Sequence, residues 1–314
     1  MNGILLIDKP AGPTSHDLVA MVRRSLGVRR VGHAGTLDPF ATGLLVVLVG
    51  QATKLSAYLM DAEKEYEATL RWGATTDTMD GTGEVVHETD ASLPDAARIA
   101  ATMADFVGSF AQTPPMYSAK KVNGRPLYRH ARKGETIPRT AQDVIIHRME
   151  LLGVDPETAT FSFRVLCSKG TYVRVLGEVL AERLGGLGHL VALRRTRSGR
   201  FAVTDAYAPL SWREGVAAEE LADRQLSLDA ALVEMPAVEV SAAAAAGLAF
   251  GRCPGAADIV RADSVLAGDT VRVVGPDRHL LALARPEVES GAWPSEGAEK
   301  ILSLVRVFPR EQMA

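Results

Sequence analysis

Gly32-His33-Ala34-Gly35-Thr36-Leu37-Asp38-Pro39-Phe40-Ala41-Thr42-Gly43 runs without a break into the apolar segment Leu44 to Val49, and the rest of the chain can be read outward from it. Glycines, a proline and small side chains surround a single carboxylate. The backbone can therefore approach a ligand closely and hold the Asp38 side chain at a fixed angle. The run after it has the length and content of a buried strand. Asp before Pro is also ordinary turn chemistry, so the pattern alone is compatible with a plain turn.

On the N-terminal side, Ile4 to Ile7 reads as a short strand that Lys9-Pro10 stops. Thr14 or Ser15 can cap a helix with the buried stripe Leu18, Val19, Val22 and Leu26, closed by Gly27. On the C-terminal side, Glu63 to Gly73 alternates, with Tyr66, Ala68, Leu70 and Trp72 on one face and Glu65, Glu67, Thr69 and Arg71 on the other. This predicts a half-buried strand. Thr75 to Glu84 is rich in Thr and Asp, but its carboxylate spacing does not fit an EF-hand, so it reads as a turn without a metal. Residues 92 to 109 read as a polar helix burying Ile99, Met103, Phe106 and Val107.

Thr113 to Arg139 is different in kind. Paired prolines, Gly124, Pro126 and a dense set of Lys and Arg, including Lys120, Lys121 and Arg125, predict an extended cationic segment in which Tyr117 and Tyr128 interleave with charge. Bases could stack on the tyrosines and phosphates meet the cations. Ala159 to Cys167 alternates again as a strand. Thr171 can then cap a helix with the stripe Val173, Leu176, Leu180 and Leu184, ended by Gly185-Gly186. Arg174 falls in the first turn of that helix, where the dipole disfavours a cation, so an anion is expected beside it. Gly188 to Gly199 holds Arg194, Arg195 and Arg197 in a basic strand. After Leu228 a stretch with Pro236 and an alanine run reads as a connecting helix and linker. Short β-type segments follow, at Thr270 to Val274, Leu280 to Ala284 and Ile301 to Val307.

A chain of 314 residues can bury a large core, and one large and one small domain are expected. The formal charge of −3 is misleading, because Lys120 to Arg139 and Arg183 to Arg200 concentrate cations while Glu214 to Asp229 concentrates acids. Cys167 and Cys253 lie far apart without ligand spacing, which argues against structural zinc and a disulfide framework and predicts small buried side chains. Gly3 to Ile7 is too short for a signal peptide and no run has membrane-spanning length, so a cytoplasmic protein is expected.

The Asp38 stretch closely resembles the G-x-L-D-P-x-A-x-G motif of the TruB family of tRNA pseudouridine synthases, with Thr36 and Phe40 as minor departures. Further resemblances follow in family order. Lys9-Pro10 matches the Lys-Pro motif, Pro114 to Arg132 the P-P-x-x-S-A-x-K-x-x-G-x-x-x-Y-x-x-A-R thumb, Cys167 to Arg174 the C-S-x-G-T-Y-x-R motif, and Leu193 to Gly199 the L-R-R-x-x-x-G motif. The resemblance implies an α+β pseudouridine synthase fold, with a mixed, mostly antiparallel sheet flanked by helices and loops. It places the catalytic domain at 1–230 with a thumb insertion at about 113–139, and a linker and β-rich PUA-like domain at 231–314.

It further implies isomerisation of the T-loop uridine at position 55 of tRNA. Asp38 would be the catalytic residue, Arg174 its partner, and Tyr66 the residue stacking on uracil and moving the C5 proton. His33 would fill the space the flipped nucleotide vacates, Tyr172 would form a wall, Leu193 would line the uracil pocket and Lys9 would support its floor. Arg194 and Arg195 would face RNA, and Lys120, Lys121 and Arg125 would grip it. The reaction adds no outside atom, so neither cofactor nor metal is expected. The partner would be the T arm and T loop of tRNA, met by a monomer with no membrane and no obligate protein partner.

For Asp38 to act it must be ionised. Burial raises a carboxyl pKa and a neighbouring guanidinium lowers it, and the guanidinium is expected to win. Two alternatives stay open: a synthase acting on another RNA, and a tRNA-binding chaperone.

Overall fold

The structure is a computed structural model that describes residues 1–122, 124–209, 211–293 and 301–309. Asn123 of the thumb, and residues 294–300 and 310–314 of the expected C-terminal domain, lie outside the described residues. The chain divides into two compact units. One comprises Leu5–Leu48 and Leu55–Arg224, the other Met1–Ile4, Val49–Lys54 and Gln225–Ala314.

The elements of the first part follow the sequence pattern closely. Strand β1 (Gly3–Lys9) leads to helix α1 (Ser15–Leu26), then to β2 (Val31–His33) and β3 (Thr42–Val49). Thr14, not Ser15, caps α1 in a reciprocal pair with Asp17, which leaves the buried Ser15 hydroxyl free for another use. Gly27 ends the helix in the left-handed conformation, and Leu26 of the expected stripe is only half-buried. Helix α2 (Ser56–Asp61) precedes the long strand β4 (Lys64–Trp72), whose alternate residues Tyr66, Ala68, Leu70 and Trp72 are buried.

A hairpin of β5 (Ala74–Thr76) and β6 (Val85–Glu88) encloses the Thr/Asp-rich turn. Helix α3 (Ala96–Ala104) is shorter than the expected 92–109, and β7 (Gly108–Gln112) takes the remainder. Asp95 caps α3, and Gly108, at φ 117°, turns the chain out of it. Phe106 and Phe110 are both buried, 5.5 Å apart, a spacing that fits either a helix or a turn into a strand. Val107, expected inside, is 51 % exposed.

The thumb region contributes the short pair β8 (Lys121–Val122) and β9 (Arg125–Pro126) and the helix α4 (Leu127–Ala131). Strands β10 (Gln142–Asp155) and β11 (Thr160–Cys167), helix α5 (Val173–Arg183), and strands β12 (Gly188–Ser198) and β13 (Phe201–Ala202) complete the core. Thr171 does not cap α5. Tyr172 is its first flanking residue, and the Thr171 hydroxyl instead donates to the Ser168 carbonyl.

The nine-stranded sheet runs β1-β3-β12-β4-β11-β10-β7, with β2 on β3 and β13 on β12. Strand β12 pairs parallel with β3 and antiparallel with β4, and β11 and β10 continue antiparallel. Gly43 makes the parallel contact possible: a Cβ there would lie 2.3 Å from the Arg195 carbonyl oxygen. The apolar face packs Leu70, Phe161, Phe163 and Val165 against α3 and α5 through Ile99, Met103, Leu176 and Leu180. Burying these side chains contributes roughly 1.5–3 kcal/mol each.

Helix α6 (Ala218–Asp223) ends the first unit, and the second contains α7 (Leu228–Ala231), β14 (Ala237–Val240), α8 (Ala242–Leu248) and β15 to β18 (Ile259–Ala262, Val271–Val274, Leu280–Pro286 and Leu302–Val307). Its sheet runs β15-β14-β16-β17-β18 around Val238, Val240, Val271, Val273 and Ala282. The expected linker thus contains an internal strand, β14, whose four residues between Pro236 and Ser241 are too few to announce themselves beside the alanine run. Cys167 is fully buried and Cys253 half-buried. Among the described residues no helix is long and apolar enough to cross a membrane.

Candidate active site

The Asp38 loop is held from beneath by cations that neighbouring strands deliver. Lys9, at the end of β1 and fully buried, donates its ammonium protons to the carbonyls of Pro10, Pro39 and Ala41 at 2.9, 3.1 and 2.6 Å. Burial lowers its pKa to about 8 against the opposing pull of Asp38. Arg195, equally buried, donates to the carbonyls of Leu44, Gly35 and Thr36 at 2.7, 3.1 and 3.4 Å. It does not face solvent, as the basic-strand reading expected, because its strand register places it opposite Tyr66 on the core face. Arg194 points the other way and makes a two-pronged ion pair with Asp8 at 3.0 and 2.7 Å. Ser15 adds a further tether, accepting from the Leu37 amide at 2.8 Å and donating back to the Leu37 carbonyl.

With its backbone tied in this way, the loop presents Asp38 to Arg174. The carboxylate Oδ2 lies 2.9 Å from Nε, an ion pair without well-aligned hydrogen-bond geometry. Arg174 is 3 % exposed and Asp38 32 %, so the cation is enclosed while the anion keeps an open face. The other guanidinium nitrogens are also engaged. Nη1 donates to the Thr78 carbonyl at 2.6 Å and lies 3.5 Å from Asp80 Oδ2, and Nη2 donates to the Tyr117 carbonyl at 2.7 Å.

Asp80 is a site residue that the sequence reading passed over. It is buried, accepts from Thr78 and Thr82 hydroxyls and the Thr82 amide, and gives Arg174 a second anion. Its signal was present in the Thr/Asp-rich turn, but a one-dimensional pattern cannot show that this turn folds back onto residue 174. Lys64, also missed, is buried at the start of β4, where its ammonium bonds the Met60 and Ala62 carbonyls and burial lowers its pKa to about 8.

Two cavities meet at the ion pair. The first, of about 610 Å³, is lined by Tyr66, Tyr172, Leu193, Lys64 and Arg195. The second, of about 550 Å³, is lined by His16, His33, Tyr117, Tyr128 and Arg132. Asp38, Arg174, Thr36, Leu37, Ser118 and Ala119 border both. Either volume falls within the range of small-ligand pockets.

Tyr66, Tyr172, Leu193 and Arg174 are therefore gathered around Asp38, and His33 borders it from the second cavity. Lys9 lies under the loop and lines neither cavity. Lys121 and Arg125, both exposed, sit on the β8–β9 pair, half-buried Lys120 directly precedes it, and the three line neither cavity.

The electrostatics correct one expectation. Burial raises the Asp38 pKa above its ordinary 3.8, and Arg174 opposes this without cancelling it, while Asp80 adds to the rise. The tyrosines are pushed the same way. Burial raises the Tyr66 pKa although the nearby Arg195 guanidinium lowers it, and burial likewise raises that of Tyr172. His33 is lowered, first by burial and then by Arg195, which keeps it neutral near pH 7.

Residues 23–173 match the family described as TruB family pseudouridylate synthase (N terminal domain). A protein of Syntrophotalea carbinolica named tRNA pseudouridine synthase B is 44 % identical over 308 residues, 98 % of both chains. One of the same name from Cupriavidus metallidurans is 42 % identical, over 96 % of this chain and 95 % of its own. Among solved structures, a chain of a Cbf5-Nop10-Gar1 complex superposes with a TM-score of 0.75 at 25 % identity, covering 97 % of this chain and 84 % of that one. The mixed sheet built around β4, with a β-rich C-terminal region, is thus the pseudouridine synthase fold, and the chain belongs to the TruB family of pseudouridylate synthases.

Proposed function

We propose that the protein isomerises the T-loop uridine at position 55 of tRNA to pseudouridine, with Asp38 acting on the detached or detaching sugar or base. The observation that carries this reading is the Asp38–Arg174 pair at 2.9 Å, open on its carboxylate side to a cavity of about 610 Å³. In the reaction the C1′–N1 bond breaks, the uracil turns, C1′ joins C5, and the C5 proton is lost while N1 gains one. Reactant and product have the same atoms, so an anionic oxygen and a shaped, water-poor chamber are what the protein has to supply. Unstacking the base costs a few kcal/mol, and stacking on Tyr66 can return roughly 1–3 kcal/mol. His33, neutral and lining the second cavity, would occupy the gap in the RNA.

Incubating the purified protein with unmodified tRNA transcript and mapping pseudouridine tests the reading. Tight binding without isomerisation would leave a tRNA chaperone, and modification elsewhere would name another RNA site.

The raised pKa of Asp38 sets the expected pH profile. If the ionised form works, kcat/KM falls as the pH drops through a midpoint above 3.8, because the fold holds the proton on more firmly than water does. Asp80→Asn removes a like charge and should move that midpoint downward, which rate profiles of the two proteins would show.

Of the thumb cations, Lys120, Lys121 and Arg125 lie outside both cavities, which suits contact with the RNA backbone around the target. Replacing Lys120, Lys121 and Arg125 together with Gln should weaken tRNA binding and reduce the slope of log K against log salt by ~2, with kcat at saturating tRNA little changed. A slope equal to that of the wild type would remove these residues from the interface.

A further inference from the structure

Ser118 borders both cavities and has an unused polar group. It is 5 % exposed, and its hydroxyl closes no hydrogen bond. The neighbouring Tyr172 phenol feels it electrostatically without completing a bond. The main chain on either side leaves the residue little freedom. Its amide donates to the Met116 carbonyl at 3.0 Å, its own carbonyl accepts from Tyr128 at 3.1 Å, and the preceding carbonyl, of Tyr117, is held by Arg174 at 2.7 Å. The serine is thus fixed beside the ion pair by the same guanidinium that engages Asp38. A buried hydroxyl without a partner is a cost to the folded protein, and a ligand atom can meet it.

The geometry narrows which atom that is. A carboxylate acting on the glycosidic bond has to sit where sugar meets base. The first cavity supplies Tyr66 and Leu193 as flat and apolar walls for the uracil, so the ribose lies at the junction of the two cavities. The polar side chains at that junction are Thr36, which is exposed, the paired Asp38 and Arg174, and Ser118. The ribose group next to C1′ is the 2′-hydroxyl, which both donates and accepts and which distinguishes RNA from DNA.

We propose that the Ser118 hydroxyl hydrogen-bonds the 2′-hydroxyl of the flipped uridine and so selects ribose over deoxyribose at the target. This rests on the uridine-isomerising reading above.

The test is a two-by-two cycle: wild type and Ser118→Ala, each with a T-arm RNA carrying uridine or 2′-deoxyuridine at the target, read by Kd and by single-turnover rate. The wild type should lose about tenfold in rate over Kd when the 2′-hydroxyl is deleted, the effect of one such hydrogen bond. Ser118→Ala should lose about tenfold on the ribose RNA and less than about twofold more on the deoxyribose RNA. Equal losses in both proteins, or a Ser118→Ala variant as fast and tight as the wild type on ribose RNA, would overturn the proposal. The alanine variant removes an unpartnered hydroxyl, so its melting temperature should match or exceed that of the wild type. A wild type that binds these RNAs and isomerises none would sink the enzymatic reading, and the Kd cycle would then decide Ser118 by itself.

Discussion

Asp38→Asn should abolish pseudouridine formation, by at least about 10³-fold in single-turnover rate, while tRNA affinity stays within a few-fold of wild type. The substitution keeps the shape of the side chain, and the tethers on the loop come from Lys9, Arg195 and Ser15, which bond backbone atoms rather than the carboxylate. What it removes is the charge. Folding should survive this. Burial raises the Asp38 pKa above 3.8, so the folded protein binds that proton more tightly than the unfolded chain. Between 3.8 and the raised value, stability falls as pH rises, and above it the ionised group adds nothing net to stability. An amide therefore forfeits chemistry without forfeiting the fold. Measurable turnover by Asp38→Asn with an unshifted melting temperature would falsify the catalytic assignment.

Much of this site was legible in the sequence, for particular reasons. The period-two pattern of Glu63 to Gly73 placed Tyr66 on a buried face, and β4 puts it there. Arg174 stood out because a cation in the first turn of a helix asks for an anion, and Asp38 and Asp80 both lie within 3.5 Å of its guanidinium. The less legible residues are those whose meaning depends on distant pairing. Arg195 read as one more surface cation until its register opposite Tyr66 and Gly43 made it the strut beneath the Asp38 loop. Thr14 and Ser15 both read as caps; Thr14 takes that place, which frees Ser15 to bind Leu37, twenty-two residues on. Asp80 needed the hairpin of β5 and β6 to close before it could face Arg174. Strand β14 went unread because alternation over four residues carries little signal, and its neighbours in the sheet lie far along the chain. The Asp38 pKa was misjudged because the sequence reveals a partner more readily than it reveals enclosure.

Arg174→Lys is the second large effect expected, and it separates charge from geometry. The guanidinium reaches Asp38, Asp80 and the carbonyls of Thr78 and Tyr117 with its separate nitrogens. It thereby joins the Asp38 loop, the Thr/Asp-rich turn and the base of the thumb. Lysine offers one compact ammonium with three protons and no planar fork, so it can neutralise one carboxylate but cannot span all three segments. Turnover should fall about 10²-fold, with tRNA binding less affected, because about 1 Å of misplacement at the reacting group suffices for such a loss. Arg174→Ala should be worse in a different way. It leaves two carboxylates facing each other without a cation, a change that costs about 3–5 kcal/mol when a buried pair is broken. Like charges raise each other's pKa. The alanine variant should accordingly regain stability as the pH is lowered toward its carboxylate range, and the lysine variant should not. Near wild-type turnover by Arg174→Lys would mean that only the positive charge matters, and that the three segments keep their positions without the fork. Melting curves for both variants between pH 5 and 8, set beside single-turnover rates at each pH, would distinguish these outcomes.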